Sequence, residues 1–91
     1  MAGRERMVDA SHVVLVDDDA DLRAFLKGAL EHEGHVVTEA GSGILGMHLV
    51  DTEPPDLVLL DVGLPDVSGF DVLRHVRRAQ PRTGVILLTH R

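Results

Sequence analysis

Short runs of apolar and β-branched residues, separated by segments of helical spacing, constrain the possible folds of this chain most strongly. Four such runs occur, at residues 13–16, 36–38, 57–60 and 85–88. Strands that are apolar on both sides are typical of a sheet covered by helices on both faces. Strands that alternate with helices indicate βαβ units, which build a parallel sheet. We therefore expect an α/β fold with a doubly wound parallel sheet.

Three helices are expected between the four strands. The first has an apolar face between Leu22 and Leu30 and ends at Gly34, because glycine readily takes the left-handed conformation that terminates helices. The second, near residues 43–51, is weakly specified, since each interior glycine costs a helix about 1 kcal/mol relative to alanine. The third carries its apolar face between residues 70 and 76 and stops before a proline.

The length is that of one small domain. The chain has 91 residues, which suits a single hydrophobic core of modest size. Residues 1–11 mix charged and small side chains without an apolar period, and we expect a flexible lead-in there. The folded domain is predicted to cover residues 12–91.

The composition excludes several functions. The chain has no cysteine, so disulfides, thiolate metal sites and thiol nucleophiles are excluded. A net charge of −6 argues against direct binding to nucleic acid, whose phosphates attract basic surfaces. No apolar stretch is long enough for a membrane span, and no signal for secretion is present. We expect a cytoplasmic protein without direct contact to nucleic acid or membrane.

Aspartates follow two of the predicted strands. Asp17, Asp18 and Asp19 end the first strand, and Asp61 ends the third. Because parallel strands end at the same edge of a sheet, we expect these carboxylates to lie close together. Clustered carboxylates repel one another unless a proton or a cation relieves the repulsion. An oxygen-rich site without cysteine suits Mg²⁺.

These aspartates also have structural explanations. Asp19 is expected to cap the first helix, because aspartate at this position accepts hydrogen bonds from the N–H groups of the first turn. Capping explains at most one of the neighbouring Asp17 and Asp18, so the other points to a functional site. Asp61 alone could be a turn residue before Gly63. Its interpretation as a functional residue depends on the acids at the end of the first strand.

Three segments together resemble a known family. They are VLVDDDADLRAFLKGALEHEGHVV, DLVLLDVGLPDVSGFDVLRHVR and VILLTHR. In this order and spacing, they resemble the receiver domain of two-component response regulators, over residues 12–91. The resemblance implies a flavodoxin-like receiver fold with strand order 2-1-3-4, truncated after the fourth strand, since the family has a fifth. It also implies a role in phosphorelay signal transduction.

The resemblance assigns roles to individual residues. It implies that Asp61 accepts a phosphoryl group, delivered by a histidine kinase or a phosphotransfer protein. Asp17 and Asp18 would hold Mg²⁺ together with Asp61, and Gly63 would contribute its backbone carbonyl. Thr89, after the fourth strand, would be the switch residue whose hydroxyl binds the phosphoryl group. On this basis, the chain is expected to be a phosphoacceptor and not an enzyme.

Pro65 and Gly69 match the turn that follows the phosphoacceptor in the family. Proline fixes its own φ angle, and the glycine is expected to adopt a backbone conformation closed to other residues. Both residues are therefore predicted to be structural.

The chain departs from the family towards its C-terminal end. The family has a fifth strand that ends in a lysine contacting the phosphoryl group, whereas the only lysine here is Lys27, in the first helix. The fourth strand is then expected to be an exposed edge through which chains self-associate. Part of the apolar face of the first helix is expected to lack a cover.

Two functions remain open on these grounds. One is a phosphotransfer module, and the other is an interaction domain that keeps the receiver surface without being phosphorylated. A hydrolase acting on free substrates ranks last, because no general base is evident beside Asp61.

Overall fold

The computed structural model describes residues 11–88 of the chain, in which strands and helices alternate. The elements are β1 (His12–Val16), α1 (Ala20–His32), β2 (Val36–Ala40), α2 (Gly43–Thr52), β3 (Leu57–Asp61), α3 (Gly69–Ala79) and β4 (Gly84–Leu88). Within the described residues, the strands form one parallel sheet in the order β2-β1-β3-β4. The predicted doubly wound, flavodoxin-like arrangement is confirmed.

The boundaries of the elements lie close to the predicted ones. Each strand is one or two residues longer than its apolar run. Ser11, which the sequence assigns to the lead-in, is held by the start of β2. Its N–H donates to Nδ1 of His35 at 3.2 Å, and its carbonyl accepts from the N–H of Val36 at 2.9 Å. The rest of the predicted lead-in, residues 1–10, lies outside the described residues.

Both ends of α1 follow the predicted capping. Oδ1 of Asp19 accepts hydrogen bonds from the N–H groups of Asp21 and Leu22, each at 3.1 Å. After the other end of the helix, Gly34 has a φ angle of 96°. A side chain is strained in this conformation, so a glycine is required where the chain leaves the helix.

The two faces of the sheet are covered unequally. Successive residues of a strand point to opposite faces, so each strand contributes to both. The face under α2 and α3 has the larger buried cluster, made of Val14, Val16, Ala40, Val50, Val58, Leu60, Val72 and Val76. The face under α1 has a smaller one, made of Val13, Leu15 and Val37. Burying one such side chain contributes about 1.5–3 kcal/mol, so the α2–α3 face supplies most of the stability.

α1 packs on the sheet without burying any of its own residues. Leu26 and Leu30 are partly buried against the smaller cluster. Phe25 is 72% exposed, although it belongs to the apolar face of the helix. This agrees with the expectation that part of this face lacks a cover.

α2 forms in spite of its glycines, because two of them permit close packing. A Cβ built on Gly43 lies 2.4 Å from Cγ2 of Val67, in the loop after β3. A Cβ built on Gly46 lies 2.8 Å from Cγ2 of Val16, at the end of β1. Larger residues would push the helix off the sheet. The glycines that weaken α2 as a helix therefore bring it onto its neighbours.

β4 forms one edge of the described sheet. It pairs with β3 on one side, and its residues Ile86 and Leu87 are 51% and 38% exposed. The strand contains neither proline nor a charged residue, the devices that usually protect an edge from further pairing. The fourth strand is thus an exposed edge in the part of the chain that the structure describes.

Candidate metal centre at the carboxyl ends of the strands

Three carboxylates meet at the carboxyl ends of β1 and β3. One oxygen each from Asp17, Asp18 and Asp61 lies within 4.8 Å of the others. The sheet creates this arrangement, because β1 and β3 are adjacent parallel strands that end side by side. The fold thus brings together the three acids that the sequence assigns to a cation.

The three carboxylates differ in their exposure. Asp17 is fully buried and Asp61 is 4% exposed, whereas Asp18 is exposed to solvent. Repulsion between carboxylates is stronger in a buried cluster than in water, which favours the uptake of a cation. The exposed side at Asp18 gives such a cation access from solvent.

Backbone groups hold the two buried carboxylates in place. Oδ1 of Asp17 accepts from the N–H of Asp19 at 2.9 Å, and Oδ1 of Asp61 accepts from the N–H of Gly63 at 3.1 Å. The N–H of Asp17 donates to the carbonyl of Ala40 on β2 at 3.0 Å. The carboxylate of Asp19 instead caps α1. The cluster therefore draws on two of the three consecutive acids after β1.

The other two predicted site residues follow β3 and β4. Gly63 lies in the exposed loop between β3 and α3, two residues after Asp61. Thr89, the predicted switch residue, lies outside the described residues. The described part of β4 ends at Leu88, which is the partner of Asp61 in the register of the sheet.

Gly69 is needed in the turn after Asp61, but the predicted reason is wrong. Its backbone is not in the left-handed region, since Gly34 alone among the described residues has a positive φ angle. A Cβ on Gly69 would instead lie 2.5 Å from Cα of Val62 and 2.6 Å from the carbonyl oxygen of Asp61. Glycine is required so that α3 can begin directly against the end of β3.

Arg23 is a further residue at this edge of the sheet, and the sequence does not point to it. From the first turn of α1, its Nη1 donates to the carbonyl of Asp17 at 2.7 Å. Its Nε donates to Oε1 of Glu39 on β2 at 3.1 Å. In the sequence, nothing separates this arginine from any other charged residue on a helix surface.

Asp66, in the loop between β3 and α3, caps α2 from outside the helix. Its two carboxylate oxygens accept from the N–H groups of Gly43 and Ile44, each at 2.9 Å. Hydrogen bonds from the backbone of Ile44 and Gly43 lower the pKa of the Asp66 carboxyl below its ordinary value. Ser42 completes the cap, because its Oγ accepts from the N–H of Leu45 at 3.2 Å.

The carboxylate cluster fits a hard divalent cation. Asp17, Asp18 and Asp61 offer oxygen atoms, the ligands that Mg²⁺ prefers. Opposite ligands of an octahedral Mg²⁺ are about 4 Å apart, which is close to the 4.8 Å within which these oxygens lie. Mg²⁺ usually keeps several waters beside its carboxylates, and the exposed side of the cluster leaves space for them. These three residues would hold the ion.

A doubly wound parallel sheet with an acidic cluster at the ends of β1 and β3 defines an α/β domain with a cation-binding edge. Residues 13–91 match the family described as the response regulator receiver domain. Because this match covers nearly the whole chain, the chain belongs to the response regulator receiver domain family.

Two bacterial regulators illustrate the similarity in sequence. The probable transcriptional regulatory protein SilR of Salmonella typhimurium is 42% identical over 85% of this chain and 34% of its own length. The probable transcriptional regulatory protein TcrX of Mycobacterium tuberculosis is 43% identical over 85% of this chain and 33% of its own length. The chain thus spans about a third of the length of these relatives.

Solved structures show the same fold. A CheY-like receiver domain protein from Methanospirillum hungatei is 30% identical, with a TM-score of 0.87 over 89% of this chain and 65% of that one. The response regulator TrrA of Thermotoga maritima, solved in complex with Mg²⁺ and BeF, is 32% identical. Its TM-score is 0.82 over 86% of this chain and 68% of TrrA.

The prediction that the chain is not an enzyme is wrong as an exclusion. Receiver domains of response regulators have weak autophosphorylation and phosphatase activity in addition to accepting phosphate. Membership of the family therefore removes the basis for excluding catalytic activity. The error lies in treating the acceptor carboxylate as a passive substrate, although the residues around it also promote its reaction.

Proposed function

We propose that the chain is the phosphoacceptor module of a two-component response regulator, with residues 12–91 as its receiver unit. Asp61 takes a phosphoryl group from a histidine kinase or a phosphotransfer protein, the partners with which receiver domains interact. The observation that carries the proposal is the meeting of Asp17, Asp18 and Asp61 at one edge of the sheet. The complex of TrrA with Mg²⁺ and BeF supports Mg²⁺ as the cation.

The residues of the chain act mainly by positioning. An oxygen of Asp61 attacks phosphorus, the P–N bond to the donor histidine breaks, and its electron pair stays on the imidazole nitrogen. The N–H of Gly63 fixes the plane of the Asp61 carboxylate. Asp17, Asp18 and the carbonyl of Gly63 hold Mg²⁺, which supplies positive charge to the phosphoryl oxygens. The hydroxyl of Thr89 then binds a phosphoryl oxygen and acts as the switch.

A second candidate is an interaction domain that keeps the receiver surface without phosphorylation. Lys27 is the only lysine of the chain, and its ammonium group pairs with Glu31 at 3.1 Å on α1. It lies in the middle of a helix and does not match the strand-end lysine that the family uses to contact the phosphoryl group. This observation favours a module that binds partners through its surface alone.

We also propose that the protein acts in the cytoplasm, where response regulators typically work. Among residues 11–88, no helix combines the length and the apolar character that a bilayer span needs.

The experiment that tests the phosphoacceptor is the intact mass of the chain after incubation with Mg²⁺ and acetyl phosphate. Wild type, Asp61→Asn and Asp56→Asn are compared. Asp56 directly precedes β3, at the opposite end of the strand from Asp61, and controls for the loss of one carboxylate. We expect one phosphoryl adduct on wild type and Asp56→Asn, and none on Asp61→Asn.

The result also separates the two candidates. An unmodified wild-type chain whose circular dichroism shows that it is folded would exclude the phosphoacceptor and select the interaction domain. An adduct that persists in Asp61→Asn would place the acceptor on another residue. An adduct confined to chains with Asp61 would show that transfer does not need the lysine of the family.

A further inference from the structure

Arg23 joins three elements beside the acidic cluster. It stands on α1, donates from Nη1 to the carbonyl of Asp17 at 2.7 Å and pairs through Nε with Glu39 of β2 at 3.1 Å. Its guanidinium also lies against Gly41, where a Cβ would be 3.3 Å from Nη1. With its side chain 20% exposed, Arg23 is held among these groups.

The carbonyl that Arg23 contacts belongs to the peptide bond between Asp17 and Asp18. The orientation of this peptide decides where the two side chains point, because Asp17 is buried and Asp18 is exposed on the other side of it. A hydrogen bond from a charged donor to a carbonyl is shorter and stronger than a neutral one. Arg23 is thus placed to set the direction of both carboxylates through one backbone atom.

Little else ties α1 to this turn. The helix buries none of its residues, so apolar packing alone defines its position poorly. The N–H of Asp17 donates to Ala40 at 3.0 Å, which holds the turn from the side of β2. Arg23 provides the matching contact from the side of α1.

We propose that Arg23 is a positioning residue for the cation site, which orients the peptide between Asp17 and Asp18 so that both carboxylates face Asp61. This inference rests on the proposed function, since it takes Mg²⁺ as the ligand of the cluster. Arg23 donates hydrogen bonds and cannot itself bind the cation, so it acts through Asp17 and Asp18.

A purely electrostatic role of Arg23 would have the opposite consequence. A guanidinium next to a cation site repels the cation, so removing the charge alone strengthens the binding of Mg²⁺. Removing a residue that orients the ligands weakens it, typically by about tenfold or more for groups that support metal ligands. The sign of the change therefore distinguishes the two roles.

The test is the dissociation constant of Mg²⁺ alone, measured by calorimetry on the 91-residue chain. The variants are Arg23→Met, Arg23→Lys and, as a control, Lys27→Met, which removes a positive charge from the same helix one turn further on. We expect Arg23→Met to weaken binding by about tenfold. Arg23→Lys keeps the charge but cannot hold both contacts in one plane, so it also weakens binding. Lys27→Met leaves the affinity close to that of wild type.

A second readout is independent of the metal. The N–H of Asp19 donates to Oδ1 of Asp17, so its NMR signal reports on the turn without Mg²⁺. We expect this signal to shift in Arg23→Met and to stay in place in Lys27→Met. A wild-type chain that binds no Mg²⁺ would overturn the proposed cation, but not the contact of Arg23 with the turn. Binding that Arg23→Met leaves unchanged or strengthens, or an unshifted Asp19 signal, would overturn the role of Arg23.

Discussion

The carboxylate of Asp66 accepts a hydrogen bond from the N–H of Gly43 at 2.9 Å, across 23 residues of sequence. A loop that follows the proposed phosphoacceptor thereby caps a helix on the neighbouring part of the sheet. Because Ile44 donates to the second oxygen at 2.9 Å, the carboxylate binds two successive N–H groups of α2. The position of α2 and that of the loop therefore depend on each other.

The first prediction concerns the charge of Asp66. Asparagine offers one acceptor oxygen instead of two, so Asp66→Asn should lower the midpoint of urea unfolding at pH 7. The hydrogen bonds from Ile44 and Gly43 lower the pKa of Asp66 in the folded state. Its contribution is then complete above the unfolded pKa of about 3.9 and is lost as pH falls through the lower folded pKa. The difference between wild type and variant should shrink over that acidic range. A difference that stays constant down to pH 2 would exclude this linkage.

The second prediction compares the same substitution at two glycines. Gly69→Ala places a Cβ 2.5 Å from Cα of Val62, a backbone contact that cannot be relieved by a side-chain rotation. It should destabilise the fold by about 1–3 kcal/mol or more. Gly28→Ala should stabilise it by up to about 1 kcal/mol, because Gly28 lies inside α1 with nothing within 4 Å of its Cβ position. Thermal unfolding of both variants checks the sign, and a harmless Gly69→Ala would contradict the close approach of α3 to the end of β3.

The third prediction concerns repulsion in the acidic cluster. Asp61→Asn removes one charge from a group of three carboxylates but keeps an acceptor for the N–H of Gly63. Without divalent cations, the variant should be more stable than wild type by on the order of 1 kcal/mol. Mg²⁺ should stabilise wild type more than the variant, since it binds the intact cluster more tightly. Chemical unfolding with EDTA and with Mg²⁺ measures both effects. A variant less stable than wild type in EDTA would mean that repulsion does not dominate there.

The fourth prediction concerns the edge of the sheet. β4 has unprotected apolar residues on an open edge, so the wild-type chain should self-associate as its concentration rises. Ile86→Lys should shift the equilibrium towards the monomer, since charge on an edge strand opposes pairing. Ile44→Lys is the control, because Ile44 is similarly exposed, at 60%, but lies on α2. Light scattering coupled to gel filtration gives the masses. A wild-type monomer at high concentration would refute the proposed association.

The sequence predicts the elements of the fold well, because their signals are local. Apolar runs locate the strands to within one or two residues, and Gly34 and Asp19 mark the ends of the first helix. The meeting of the acids follows from parallel strands that end at one edge. No local signal is needed beyond the positions of Asp17 and Asp61.

The contacts that support the site are not predictable in this way. Arg23 reaches Glu39 across 16 residues, and Asp66 reaches Gly43 across 23. Neither residue belongs to a motif, and each resembles an ordinary charged residue on a surface. Gly69 is recognisable as a required glycine, but whether the need is a φ angle or a close contact depends on where α3 begins. Such questions are decided by packing in three dimensions.

The unequal covering of the sheet has a consequence for how the site moves. Asp61 leaves a strand that is buried under α2 and α3, whereas Asp17 and Asp18 lead into the loosely packed α1. Regions with few buried contacts open more often than the core, and hydrogen exchange measures this directly. The amide hydrogens of α1 should therefore exchange faster than those of β3. The site joins a rigid acceptor to a compliant pair of acids, which can adjust to the charge and size of the group transferred.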